Sequence, residues 1–528
     1  MSLRGMVDAF TAQAKAHPDR LAIAVTAPGE ALAADRATFA EVLERAGRFA
    51  GGLRAAGFGR GDRLLLAAPV CVDFYALAFA AAGSRMPLVL VDGTLDRRRL
   101  LSALRSARVK GVVGTAAGLR RWWMVPPLHG TRRYAIDGAA FGVRAVEDLR
   151  AADPAALERS RADETAIVSY TSGSTGRAKG VVRTNRILLG QHRAIDGAIP
   201  AAPDDVDMPC FPAIVLHNLC LGVSTVLPPV DLRRPADADP AAVVDVAERM
   251  EVTTLSGAPA YMERVVAYLL ASGRELPKVR RITVGGAPVS RALCAAVLEA
   301  FPDADARVIY GATEAEPIAH VSMAEVLAAD GDGVLVGTPV PQVKVIVADG
   351  LPERIEGKLD RAQLIQARAR IGEVVVRGEG VARTYVGDPA ANGAHKLMEP
   401  SGAVWHRTGD IARRDRDGRL WLLGRRGDAI QWRERTIHPL PLEAALRELP
   451  GVRRAGLVMH SRAPQGEVAV VGDEAAVVHV REHLRGAGLG ELAVRSVDAI
   501  PMDRRHHSKI DRPALAALLA RRPANSAA

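Results

Sequence analysis

Between residues 38 and 55 the apolar side chains Phe39, Val42, Leu43, Ala46, Phe49, Ala50 and Leu53 recur at intervals of three and four, the pattern of a helix that buries one stripe. Asp35 or Thr38 is placed to cap its start and Gly57 to end it. Residues 63–68 (RLLLAA) then form a short, near-continuous apolar run, a helical stretch follows near 73–82, and 87–91 is another such run. Strands that are apolar on both faces belong to parallel sheets covered by helices. The alternation returns between about 201 and 301, with strands predicted at 253–255 and 281–284 and helices at 241–250, 260–271 and 291–300.

After about residue 333 short β runs take over, at 343–347, 372–377 and 419–423 behind the Asp417-Gly418 turn. From Gly424-Arg425-Arg426-Gly427-Asp428 onward the pattern is α+β, with a helix at 442–449 and strands near 455–459 and 467–471. The expected fold is therefore α/β. A large N-terminal domain, residues 1–424, holds two α/β sheets plus a small β-rich subdomain, and residues 425–528 form a small α+β C-terminal domain, a lid.

At 528 residues, with 48% hydrophobic and 25% charged side chains, the chain has globular composition and room for at least two domains. Cys71, Cys210, Cys220 and Cys294 show no CxxC spacing and are too few to staple such a length, which argues against zinc ribbons and a secreted disulfide framework. A net charge of +10 admits nucleic acid, a membrane surface or an anionic small molecule as partner. Only eight of the seventy basic residues are lysine, a skew toward Arg that reflects a GC-rich coding sequence, and with 4% aromatics and no RGG tract nucleic acid is not expected. From Arg425 onward 17 Lys and Arg face 12 Asp and Glu, so half the net excess sits in the lid. The N-terminus lacks the apolar run of a signal peptide, and no stretch reaches the roughly twenty apolar residues of a membrane span. A cytoplasmic protein in a reducing compartment is expected.

Four segments carry candidate chemistry. Tyr170-Thr171-Ser172-Gly173-Ser174-Thr175-Gly176-Arg177-Ala178-Lys179-Gly180 follows an apolar strand at 166–169. Small residues there let backbone N–H groups approach a polyanion, hydroxyls add donors, and Lys179 adds a point charge. It is not a Walker loop, because Lys179 follows Ala178 and precedes Gly180. Tyr310-Gly311-Ala312-Thr313-Glu314 offers a carboxylate for Mg²⁺, which takes oxygen ligands and often only one carboxylate when it rides on a nucleotide. Trp405-His406-Arg407-Thr408-Gly409-Asp410 and the later Arg425 supply an acid for a ribose diol and a guanidinium fork. Lys509 closes the set in a strongly basic run. Taken singly each has a bland alternative, namely a surface loop, a solvated carboxylate or a basic face.

Together and in this order they resemble the adenylate-forming (ANL) superfamily of AMP-dependent synthetases and ligases, over nearly the whole chain. The resemblance implies that Thr171, Ser172, Gly173, Ser174, Thr175, Gly176 and Lys179 hold the ATP phosphates, and that Gly285, Gly286, Ala287 and Pro288 with Tyr310, Gly311 and Ala312 frame adenine. It further implies that Thr313 contacts phosphate, Glu314 binds Mg²⁺, Asp410 holds the ribose hydroxyls and Arg425 reaches ribose or phosphate. Lys509 would be the catalytic lysine of a mobile C-terminal domain. The implied reaction joins a small-molecule carboxylic acid to AMP with release of pyrophosphate, and an acceptor then displaces AMP.

The acceptor is open: an internal hydroxyl, CoA or a carrier protein. Gly427 stands where the family usually has an Asp or Lys hinge, and Gly absorbs the required rotation at little cost. CoA ligases carry a glycine in a tight loop where this chain has Trp432, Arg433, Glu434 and Arg435, which argues against a standard thioester step. The stretch Pro209-Cys210-Phe211-Pro212-Ala213-Ile214-Val215-Leu216-His217 lacks the Asp that pairs an amino-acid ammonium, which suggests an apolar acyl substrate with His217 packed in the wall. The segments Phe211-Pro212, Gly311-Ala312-Thr313-Glu314 and Arg504-Arg505-His506-His507-Ser508-Lys509 look most like the olefin-pathway β-lactone synthetases. That branch activates a β-hydroxy acid whose own hydroxyl displaces AMP. The competing readings are an acyl-CoA ligase and a non-catalytic nucleotide-binding relative.

Overall fold

The computed structural model describes residues 3–26, 35–171, 178–353, 361–503 and 508–521. The predicted first helix is Phe39–Ala55, and both cap candidates have work. The Thr38 hydroxyl accepts the Glu41 N–H while the Glu41 carboxylate accepts the Thr38 N–H, a reciprocal capping box. Asp35 instead accepts the N–H of Val72 at 3.0 Å, at the start of the helix Val72–Gly83. Gly57 follows in the left-handed region at φ 78°, as a stop requires.

The first sheet has seven strands, and the predicted apolar runs Leu64–Leu66 and Leu88–Val91 lie at its centre. Its strands run parallel except at one edge, where Thr165–Thr171 and Lys179–Thr184 form an antiparallel hairpin that pairs Thr171 with Lys179. The gripping loop between them, including Ser172, Gly173, Ser174, Thr175 and Gly176, lies outside the described residues.

The second sheet contains the parallel strands Val206–Pro209, Thr254–Gly257, Arg281–Gly285 and Asp305–Ala312. Two of its features were not announced by local pattern. The N-terminal strand Leu21–Val25 crosses over to pair with Ser224–Leu227, far along the chain. The β-rich unit is also continuous with this sheet, because Val334–Pro339 pairs with Ala315–Ser322 and with Leu420–Arg425. The result is a single sheet of fourteen strands. Periodicity reports which faces of a strand are buried and says nothing of its neighbour.

The C-terminal part has its own mixed three-stranded sheet, Val452–His460, Ala463–Gly472 and Ala493–Ser496, packed by the helices Pro439–Arg447 and Glu474–Gly486. It is the α+β unit the sequence predicts. Trp432 lies in its core with Leu446, Leu457 and Val468, 5% exposed. Among the described residues no helix is long and apolar enough to cross a membrane.

Candidate active site

A cleft of about 2410 Å³ opens between the two large sheets and the C-terminal unit. Every described residue predicted for the site lines it: Thr171, Lys179, Gly285, Gly286, Ala287, Pro288, Tyr310, Gly311, Ala312, Thr313, Glu314, Asp410, Arg425 and Lys509. Most come from strand ends and the turns behind them, while Asp410 lies within the strand Val404–Arg414. Gly285 ends Arg281–Gly285, and Gly286 turns the chain at φ 82° toward the helix Arg291–Ala300. A Cβ on Gly285 would meet the Ile309 carbonyl oxygen at 2.8 Å, so this close packing of neighbouring strands requires glycine.

Asp410 and Arg425 face each other across paired strands, and the guanidinium Nε lies 3.1 Å from the carboxylate. The Tyr310 hydroxyl donates to the other Asp410 oxygen at 2.7 Å, and Arg425 also donates to the Thr408 carbonyl at 2.7 Å. Asp410 raises the pKa of Arg425, and burial followed by the Asp410 charge lifts the Tyr310 phenol well above its ordinary value. The carboxylate is fixed in place as an acceptor. Neighbouring Arg407, 2% exposed, is held by Glu373 and serves the structure rather than the cleft's chemistry.

The Glu314 carboxylate accepts the Tyr385 hydroxyl at 2.7 Å, and its main-chain carbonyl accepts the Ala382 N–H at 2.7 Å. Lys179 Nζ lies 2.7 Å from His395 Nε2. His395 Nδ1 faces the Arg407 carbonyl at 3.3 Å, which can only accept, so Nδ1 carries the proton and Nε2 accepts from Lys179. Burial lowers the pKa of Lys179, opposed by the Glu314 charge, and burial also lowers that of His395. Lys396 packs over the Tyr385 ring at 4.7 Å, and burial brings its pKa down to about 7. The motif reading named none of Tyr385, His395 and Lys396. They stand seventy or more residues beyond Glu314 in unremarkable sequence, and only the tertiary fold brings them together.

The donor set suits a magnesium nucleotide. Glu314 is a single hard carboxylate, and among the described residues no group of three or more His, Cys, Asp or Glu could cage a metal ion. A cation here would complete its shell with phosphate oxygens and water, as Mg²⁺ does on triphosphates.

Beside this polar end the wall is apolar, with Phe211, Pro212, Ala213 and Ile214 at the start of the helix Pro212–Leu221. His217, from the same helix, is buried at the wall with its Nδ1 3.0 Å from Nδ1 of His192. Burial depresses both imidazoles, so both are neutral and one must donate to the other. Asp207, a carboxyl the motifs did not flag, also borders the cleft, and burial raises its pKa to about 6. Asn218 and Thr254 occupy its two oxygens, so it does not take the role of an ammonium partner.

Residues 10–386 match the protein family described as AMP-binding enzyme. A relative named olefin beta-lactone synthetase, from Stenotrophomonas maltophilia strain K279a, is 32% identical over 95% of this chain and 96% of its own length. The chain belongs to the adenylate-forming AMP-binding enzymes. It is an AMP-forming ligase or synthetase that uses ATP and Mg²⁺ to activate a carboxylic acid as an acyl adenylate. Other members similar to it include a long-chain-fatty-acid–CoA ligase of Thermus thermophilus, 29% identical over 86% of this chain and 85% of that protein. The fold is shared with the amide bond synthetase McbA from Marinactinospora thermotolerans at a TM-score of 0.78 and 22% identity, covering 97% of this chain and 99% of that one.

Proposed function

We propose that the acid is an apolar acyl chain with a β-hydroxyl, and that this hydroxyl displaces AMP to close a β-lactone. The observation that carries this reading is the acyl wall: apolar at Phe211, Pro212, Ala213 and Ile214, with the imidazole of His217, backed by His192, beside them. A neutral imidazole can accept from or donate to a hydroxyl, and it would repel neither a carboxylate nor an ammonium by charge. The relative named olefin beta-lactone synthetase supports the same choice.

In this reading residues 171–176 and Lys179 bind the phosphates, Gly285, Gly286, Ala287 and Pro288 with Tyr310, Gly311 and Ala312 frame adenine, and Thr313 touches phosphate. Asp410 accepts from the ribose hydroxyls beside Arg425, and Glu314 would hold Mg²⁺, which supplies charge neutralisation at the phosphates. A carboxylate oxygen attacks the α-phosphorus, the bond to pyrophosphate breaks, and Lys509 offsets the charge that builds between two anions. The β-hydroxyl oxygen then attacks the acyl carbonyl carbon, its proton is lost, and AMP leaves with the electron pair of the C–O bond. A tethered hydroxyl needs no tunnel, since its effective molarity far exceeds that of a dissolved thiol.

We place the domain boundary at residues 424 and 425, with Gly427 as the hinge of a moving lid. The four cysteines are free thiols, in keeping with a reducing, cytoplasmic setting. The test is mass spectrometry of products from a long-chain β-hydroxy acid and ATP, with and without CoA. A β-lactone plus AMP is expected in both. Thioester formed only with CoA would instead make the protein an acyl-CoA ligase, the activity borne by the name of its Thermus relative.

A further inference from the structure

Positive charge is densest outside the C-terminal unit. Between residues 97 and 144 stand eleven Lys or Arg and one acid, Asp137, an excess equal to that of the entire chain. Among the described residues only two of the eleven pair with a carboxylate, Arg99 with Asp96 and Lys110 with Asp62. Arg133 donates to the carbonyls of Leu128, Thr131 and Gly142 and Arg132 stacks over the Phe58 ring, contacts that carry no opposing charge, so the field is not cancelled locally.

The same segment exposes the large apolar side chains Trp123, Met124 and Phe141, at 48%, 52% and 82%. Trp123 meets Trp122 and Phe141 edge to face, with ring centres 6.3 and 6.4 Å apart. The Arg133 guanidinium lies 3.5 Å from the centre of the Trp122 ring, and exposed Arg120 and Arg121 precede it in the chain. Soluble surfaces seldom expose such a continuous aromatic group, and its basic border decides what it meets. Tryptophan and arginine together suit a lipid headgroup layer, where the rings sit at the polar boundary and the cations face phosphate. The patch also adjoins the cleft. Thr115 and Gly118 line the cavity, and Arg120 follows two residues on.

We propose that this surface docks the enzyme onto an anionic lipid bilayer, with one rim of the cleft held at the membrane. The docking is inferred from the patch alone and stands whatever acid the cleft takes. Such an arrangement would let an apolar acid enter from the lipid without crossing water, and needs no membrane-spanning helix.

The test is co-sedimentation of the full chain with vesicles of phosphatidylcholine alone and of phosphatidylcholine with phosphatidylglycerol. Binding is expected to the second kind only and to weaken as salt rises. The double variants Trp123→Ser/Phe141→Ser and Arg120→Glu/Arg121→Glu are each expected to lose about tenfold or more in partitioning. Both should melt like the wild type and keep pyrophosphate exchange with a short, water-soluble acid. Failure of the wild type to sediment with phosphatidylglycerol vesicles, or unchanged binding by both variants, would overturn the proposal. Wild type that ignores vesicles but binds an acidic carrier protein through these residues would assign the patch to a protein partner and overturn it equally.

Discussion

The Ser508 hydroxyl accepts the backbone N–H of Ala260 at 3.3 Å, so a residue of the C-terminal unit caps a helix of the large domain. That helix, Pro259–Ser272, has no side-chain cap of its own at Ala258. The contact is made one residue before Lys509, whose main chain exchanges hydrogen bonds with Asp503 at 2.8 and 2.7 Å. The lysine is thus presented to the cleft by a turn anchored on both sides.

Lys509→Ala is expected to lower the adenylation rate by about a hundredfold or more, the scale of removing one preorganised donor, and to leave ATP affinity within a few-fold. Ser508→Ala should lower it only several-fold, by loosening the contact with Ala260 beside the turn that presents Lys509. Pyrophosphate exchange and equilibrium nucleotide binding separate the two effects. Parallel losses of exchange and melting temperature in Lys509→Ala would mark a structural residue.

Lys179 predicts a pH dependence. Because burial holds its pKa below that of an ordinary lysine, its charge is lost at lower pH than an ordinary lysine's as pH rises. ATP affinity should therefore fall on the alkaline side through that lowered pKa. Lys179→Arg should move the fall to higher pH, since a guanidinium keeps its charge. The KM for ATP measured across pH decides it, and identical profiles for both proteins would exclude Lys179 as the group.

Glu314→Gln should raise the Mg²⁺ concentration needed for half-maximal exchange by tenfold or more, on the order of one lost charged ligand. Tyr385→Phe removes one hydrogen bond to that carboxylate and should give a smaller shift in the same direction, about tenfold or less. A Mg²⁺ titration at fixed ATP reads both. An unchanged requirement in Glu314→Gln would remove the carboxylate from the metal.

Trp432 gives a prediction that motif comparison alone would get wrong. The side chain packs in the core of the C-terminal unit, and the cleft wall includes none of residues 432–435. Trp432→Gly, intended to restore a CoA-ligase glycine, should cost about 3–5 kcal/mol and unfold the C-terminal unit without conferring thioester formation. Arg433 is exposed at the tip of the hairpin with φ 53°, where glycine is tolerated, so Arg433→Gly should change the melting temperature little. Thermal unfolding and product analysis check both.

Local pattern along the chain is enough for the elements and the chemical inventory. Interval patterns placed the helix Phe39–Ala55 and the apolar strands because burial stripes follow local geometry, and short motifs supplied Lys179, Glu314, Asp410 and Lys509, all four of which line the cleft, because charged groups are legible without the fold. Tertiary structure alone decided who stands beside whom. The pairings of Lys179 with His395, Glu314 with Tyr385 and His192 with His217 span from 25 to 216 positions and leave no local signal. Likewise Trp432 reads as an obstruction in the motif and as core in the fold, because burial belongs to the packed sheet and not to the residue.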